Sequence, residues 1–249
     1  MIMNKTKNIE LFSFYDGEFT ALKDIFLSSV RDDFKVKCLK LDLSREARTE
    51  KWGEACALKI VKIIEEIKNN MGRLLIYSDI DIVFLKPIKK IVLKSIIDND
   101  IVFQAETKPF LKFLKQKANI NSGFMAIQCS PKTLKFFEHV LDINMKDKKL
   151  IDQDIVTDLL SKDGSGIMWD IFPGKISARS HTPDIIKPFM AVFHANCTLI
   201  PEEKIKMLKK ILDYNNLSIF GKIKFYTLKE LRKKTKRILS LINNKSGIN

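Results

Sequence analysis

Residues 74–85 read Leu-Leu-Ile-Tyr-Ser-Asp-Ile-Asp-Ile-Val-Phe-Leu. Two carboxylates, Asp79 and Asp81, stand inside an otherwise apolar run. An unpaired charge in such surroundings is costly to bury. Either the run leaves the core at Ser78, or the two acids bind something. Arg73–Ser78 suits a strand buried on both faces. In an open α/β sheet, ligands sit outside the carboxyl ends of the strands, so Asp79 and Asp81 would emerge at that rim. Residues at i and i+2 of an extended chain point the same way, and both acids can then face one crevice. Paired hard oxygen donors suit Mg²⁺ or Mn²⁺, especially when substrate phosphates complete the shell. The plainer reading is a loop whose acids cap nearby amides, since an isolated Asp-x-Asp is common by chance.

Outward from this stretch, strand-like and helix-like patterns alternate. Ile9–Tyr15 reads as a strand, Phe19–Val30 as a helix, and Phe34–Leu43 as a strand with one wet face. Cys56, Ile60, Ile63, Ile64 and Ile67 fall at helical spacing, and Asn69-Asn70-Met71-Gly72 ends that helix. Ile101–Ala105 and Ser122–Gln128 are strands. Pro131–Leu141 is a helix with Ser130 as N-cap and Pro131 at N1. Gln153–Leu160 and Glu202–Leu212 are helices; Met168–Ile176 and Phe189–His194 are late strands. The alternation predicts an α/β domain, with a mostly parallel central sheet flanked by helices.

The chain has 249 residues, of which 45% are hydrophobic and 30% charged, enough to bury a substantial core. No apolar run approaches the roughly 18–20 residues that span a bilayer. Acids at Glu10, Asp16 and Glu18 argue against a signal peptide. Cys38, Cys56, Cys129 and Cys197 form no CxxC pair, and the expectation is reduced thiols in a cytoplasmic protein. Net charge is +14, but residues 222–249 hold nine Lys or Arg against Glu230, so +8 lies there and +6 in the remainder. The division expected is a domain over 1–221 and a basic tail over 222–249.

Asp79-Ile80-Asp81 after a buried strand, followed by Val83-Phe84-Leu85-Lys86-Pro87, resembles the metal motif of glycosyltransferases with the GT-A fold. Further segments resemble the nucleotide-diphospho-sugar transferases similar to glycosyltransferase family 77. They are Asn121-Ser122-Gly123-Phe124, Asp152-Gln153-Asp154 and His194-Ala195-Asn196-Cys197, with Trp52 and Lys59 ahead of the metal motif. Order and spacing agree over residues 9–200. The resemblance implies a Rossmann-like GT-A domain and a metal-dependent, retaining transfer of sugar from a nucleotide diphosphate, UDP in the first instance.

By residue, it implies Asp81 as direct ligand of Mn²⁺ (or Mg²⁺), Asp79 at the ribose or at the metal through water, and His194 as third contact. An imidazole favours Mn²⁺. Asp152, Gln153 and Asp154 would line the sugar and acceptor side as catalytic residues. They also stand where acids favour a helix start, one of them as its cap. Asn121 either orients the sugar or forms a turn at the strand entry, and Gly123 admits a ligand close to the backbone. Phe14 or Tyr15 would stack on the base and Asp16 accept from it. Lys59 either neutralises the diphosphate or is solvated. His139 and His181 are read as structural or solvated.

The implied partners are a nucleotide-sugar donor and a glycan, glycolipid or protein acceptor. The basic segment Thr107–Ala118 reads as a flap or an acceptor loop. In the tail, Leu228, Leu231, Thr235, Ile238 and Ile242 repeat at helical spacing among lysines and arginines. Such a helix either rests on an anionic membrane surface, placing the enzyme peripherally at the membrane face, or docks on the domain with its charges in water. Two other classes compete: a nucleic-acid-binding protein acting through the tail, and a metal-dependent nucleotidyl or phosphoryl transferase, for which the chain lacks a Walker-type loop.

Overall fold

The computed structural model describes residues 9–41, 52–105, 120–162, 165–174, 176, 190–196, 198–222, 224, 225, 227 and 235. Thr107–Ala118, His181, Cys197 and most of the tail lie outside these residues, as does the side chain of Trp52.

The described strands are β1 (Glu10–Tyr15), β2 (Lys35–Lys40), β3 (Leu74–Ser78), β4 (Ile82–Phe84), β5 (Ile101–Ala105), β6 (Ile120–Gln128), β7 (Trp169–Ile171) and β8 (Val192–His194). The helices are α1 (Thr20–Ser29), α2 (Trp52–Asn69), α3 (Lys89–Ser95), α4 (Pro131–Lys146), α5 (Asp152–Ser161) and α6 (Pro201–Asn216). Six strands form one sheet in the order β2-β1-β3-β6-β5-β7. β1 pairs parallel with β2 and β3, and β5 pairs parallel with β7, while β6 runs antiparallel to both β3 and β5. Five strands therefore share one direction, which bears out the mostly parallel α/β sheet.

Helices α2, α4 and α5 cover one face. Their buried stripes (Ile60, Ile63, Ile67; Phe136, Phe137, Val140; Ile155, Val156) meet Phe12, Leu75, Tyr77, Phe103, Met125 and Ile127 of the strands. These stripes follow the 3.6-residue period, the strand set the period of two. Aromatic contacts link Phe26 of α1 to Phe84 at 5.7 Å, Phe84 to Phe124 at 6.1 Å, and Phe124 to Phe172 at 5.4 Å.

Two elements had no counterpart in the sequence reading. The short helix α3 is one. The other is a second ladder, in which β4 pairs antiparallel with β8 so that Ile82 lies opposite His194. The late strands are shorter than expected, at three residues each. α4 runs five residues past Leu141 to Lys146.

Cα packing separates two compact units, Met1–Lys209 and Lys210–Asn249. Within the second, Tyr214 packs on Phe225 at 5.1 Å ring separation, and Ile219 and Phe220 are exposed.

At the start of α4, Ser130 Oγ accepts from Thr133 N at 3.2 Å and Thr133 Oγ1 accepts from Ser130 N at 3.0 Å, a reciprocal cap. Ser130→Ala is expected to lower unfolding free energy by about 1 kcal/mol, read from urea denaturation, with an unchanged circular dichroism spectrum.

Candidate functional site

β3 ends at Ser78, and residues 79–81 turn the chain into β4. All five side chains of β3 are buried. Asp81 remains buried and Asp79 is half-buried, so the acids stay at the rim and do not escape to solvent. Antiparallel pairing of β4 with β8 then carries His194 back to the same turn, where Ala195 N donates to Asp81 O at 2.9 Å. His194 Nε2 lies 3.2 Å from Asp81 Oδ1 and 3.7 Å from Asp79 Oδ2. These three residues form the one group among the described residues whose donor atoms could hold a metal ion together.

The third strand of the site enters backwards. Because β6 is antiparallel, its beginning reaches the rim. Its register against β5 jumps from Phe103↔Met125 to Gln104↔Asn121, leaving Ser122, Gly123 and Phe124 as an outsized bulge. Asn121 Oδ1 accepts from Gly123 N at 2.9 Å, and Gly123 O accepts from Asp79 N at 2.7 Å. Of the two readings of Asn121, the turn is the one these bonds display. A β-carbon on Gly123 would sit 2.3 Å from His194 Cε1 and 2.5 Å from Asp79 Oδ2. Glycine is therefore required here by the side chains of Asp79 and His194 themselves.

Gln104, which the sequence reading passed over, sets the imidazole. The Ile176 carbonyl accepts from its Nε2 at 2.9 Å, which leaves Oε1 for His194 Nδ1, also at 2.9 Å. In the neutral ring Nδ1 then carries the proton and Nε2 presents a lone pair. Three acceptor atoms consequently converge, an arrangement that a cation relieves. Their 3.2 and 3.7 Å separations suit neighbouring ligands with bonds of about 2.1 Å, so the residues present fit a divalent ion.

Lys59 corrects the solvated alternative. It is buried, with Nζ 2.8 Å from Asp152 Oδ2, 3.7 Å from Asp79 Oδ1, and donating to Ser122 Oγ at 3.1 Å. Its helix α2 packs against α5, which brings Asp152 to it. Burial favours the neutral amine, but Asp152 and Asp79 outweigh it and raise the Lys59 pKa. Burial likewise opposes the Asp152 carboxylate, yet Lys59 holds its pKa below the usual range. Asp79 differs: burial dominates and raises its pKa despite Lys59 and His194, with Asp81 adding repulsion. Tyr77 donates to Asp79 Oδ1 at 2.6 Å, and burial beside that carboxylate keeps the phenol protonated. Cys56, pushed up to about 12 by burial, is no nucleophile.

A second lysine was also missed. Lys204, on α6, is buried and bonds through Nζ to Asp81 Oδ2. Burial alone would raise the Asp81 pKa; Lys204 and His194 hold it well below the carboxylate range.

The Asp-Gln-Asp segment divides. Asp152 is buried in the cluster, Gln153 is half-buried, and Asp154 is exposed. Positions i and i+2 lie on opposite sides of a helix, so the two side chains leave α5 in different directions. Neither acid caps α5: its N-cap position is Ile151, without a side-chain bond. At the end of β1, Asp16 caps the following turn by accepting from Glu18 N at 3.0 Å. Phe14 packs 6.1 Å from the Tyr77 ring, and Tyr15 carries Lys23 Nζ 5.8 Å from its ring centroid. His139 is exposed on α4, as expected of a solvated histidine.

The site is thus a rim of acids, amides and one imidazole at the carboxyl edge of a mostly parallel sheet, the setting of a nucleotide-binding α/β enzyme. A family model described as nucleotide-diphospho-sugar transferase matches residues 34–208, and the chain belongs to that family. Its fold is the GT-A fold, shared with solved glycosyltransferases. A glycosyltransferase involved in the glycosylation of the major capsid of PBCV-1 superposes with a TM-score of 0.58 at 11% identity, over 82% of this chain and 99% of that one. The glycosyltransferase GlyE of Streptococcus pneumoniae TIGR4 gives a TM-score of 0.53 at 11% identity, over 83% of this chain. This chain spans 62% of the length of GlyE. The bifunctional glycosyltransferase WbbM gives 0.52 at 9% identity, over 82% of this chain and 49% of that one. No curated protein matches. Neither competing class finds support in these likenesses.

Lys59→Met leaves Asp152 buried without its cation and is expected to cost about 3–5 kcal/mol at pH 7. Because the folded Asp152 pKa is depressed, the ion pair stabilises above the unfolded value of about 3.9 and fades as pH falls through the folded value. The gap between wild type and variant, read from urea denaturation, should therefore narrow on acidification below about pH 4. Gly123→Ala is expected to lower donor turnover by about 100-fold or more, through displaced Asp79 and His194, with near-native circular dichroism.

Proposed function

We propose that this chain is a metal-dependent, retaining glycosyltransferase that moves a sugar from a UDP-sugar to a hydroxyl of a glycan, glycolipid or protein acceptor. The observation that carries this reading is the convergence of Asp79 Oδ2, Asp81 Oδ1 and His194 Nε2, with Gly123 packed against Asp79 and His194, in a domain of the nucleotide-diphospho-sugar transferase family. Within that family, the likeness to family 77 rests on the ordered motifs from Asp79 to Asn196.

Asp79, Asp81 and His194 would hold the ion, and the single nitrogen donor favours Mn²⁺ over Mg²⁺. The chemistry such an ion would supply is compensation of the charge that grows on the departing diphosphate. Asp79 Oδ1 accepts from Tyr77, which would leave Oδ2 to the ion. Asp152, ionised and tied to Lys59, lends negative potential to the oxocarbenium-like anomeric carbon. That ion pair also weakens it as a nucleophile, which favours attack of the acceptor on the leaving group's face, the phosphate oxygen taking its proton. The base is assigned to the end of β1, beside Phe14, Tyr15 and Asp16. The catalytic domain is placed within residues 1–221, in the cytoplasm. No described helix is long and apolar enough to cross a membrane.

Calorimetry of UDP with Mn²⁺ and with EDTA tests this directly. Wild type should bind micromolar UDP only with metal, and Asp81→Ala should lose that binding and at least about 100-fold of turnover. Turnover of Asp81→Ala near wild type would remove the acid from the metal centre. Anomeric proton signals of the first product decide between retention and inversion.

A further inference from the structure

We propose that Lys204 is an internal counter-cation of the metal centre, which keeps its affinity for a free divalent ion low and makes metal uptake conditional on the donor's diphosphate. This rests on the metal-dependent reading above and concerns the order of binding at that site.

Lys204 is the fourth residue of α6, where a solvated lysine would be ordinary. It lies instead on the buried stripe that continues with Leu208 and Ile211, at i+4 and i+7. Its Nζ takes Asp81 Oδ2, the oxygen turned away from His194, while Oδ1 faces the histidine at 3.2 Å. A lysine placed there does not contribute a ligand. It adds a fixed positive charge one carboxylate away from the centre where a second cation must bind.

The consequence follows from counting charges. Three carboxylates (Asp79, Asp81, Asp152) stand with two ammonium groups (Lys59, Lys204): Lys59 meets Asp79 and Asp152, Lys204 meets Asp81, and the neutral imidazole of His194 links Asp79 to Asp81. Ionised, they sum to −1. A divalent ion alone takes the cluster to +1, in a site where buried charges interact strongly. A nucleotide-sugar diphosphate brings two negative charges, and ion plus diphosphate return the sum to −1. The metal centre is thus matched to the metal–diphosphate pair and mismatched to the metal alone. With Lys204 neutralised, the empty cluster stands at −2 and binds a free divalent ion without help.

Mn²⁺ binding, followed by loss of the aquo-ion electron paramagnetic resonance signal, tests this. It is measured alone, with UDP, and with inorganic pyrophosphate, on wild type, Lys204→Met, Lys204→Gln and Lys204→Arg. Wild type should bind Mn²⁺ at least about tenfold more tightly with either diphosphate than without. Lys204→Met and Lys204→Gln should gain at least about tenfold in affinity for Mn²⁺ alone, while Lys204→Arg, which keeps the charge, should behave as wild type. Unchanged or weaker Mn²⁺ binding in the folded neutral variants would overturn the proposal. So would wild-type Mn²⁺ affinity indifferent to UDP and pyrophosphate, a result obtained even where no neutral variant folds. Both leave metal dependence standing. Wild type that takes up no Mn²⁺ under any condition would instead sink the metal-dependent reading itself.

Discussion

Charge compensation in a buried place governs this structure. Asp81 and Asp152 are both buried, and Asp79 is only partly open. Isolated, each would be expelled or neutralised. Instead, Lys59 reaches in from α2 to Asp152 and Asp79, and Lys204 reaches in from α6 to Asp81. The cluster therefore acts as a clasp between elements far apart in sequence. Removing one member leaves another uncompensated, which is why the site and the packing of α2 on α5 are energetically one object.

Sheet topology supplies the rest. Strand direction brings the ends of β1, β3 and β5 to the rim, and the reversal of β6 brings its start there too. The bulge at Ser122–Phe124 turns Ser122 toward Lys59 and lays Gly123 against His194 and Asp79. The small β4–β8 ladder does for His194 what a long strand does elsewhere: it fixes a side chain at a chosen depth.

Much of this was legible in residue order. Long periodic segments such as α2 and α4, and apolar runs such as β3, announce themselves because burial imposes a period. The acids of 79–81 stood out because charge interrupts such a run. Gln104 carries the same signal, a lone amide in Ile-Val-Phe-Gln-Ala, and went unread because an amide costs less to bury than a carboxylate. Lys204 was hidden for a different reason. A lysine on a helix is commonly solvated, and only its position on the Leu208–Ile211 stripe marks it as inward-facing. Lys59 is the same case, one turn from Cys56 and Ile63 on α2. The β4–β8 pairing joins segments about 110 residues apart, and three-residue strands carry no period to read. Asp154 was grouped with Asp152 by motif, but helical geometry turns them apart.

One property of the β5–β6 pair bears on how such an enzyme diversifies. Ala105 ends β5 and Ile120 opens β6, and the two lie opposite each other in the ladder at the rim. Fourteen residues separate the two, and both ends of that connection are fixed at one place on the rim, next to Gln104. Lengthening a connection whose ends are already pinned costs little, about 0.6 kcal/mol for each doubling. A change in its length or chemistry can thus leave the pairing of the sheet and the charge clasp as they are.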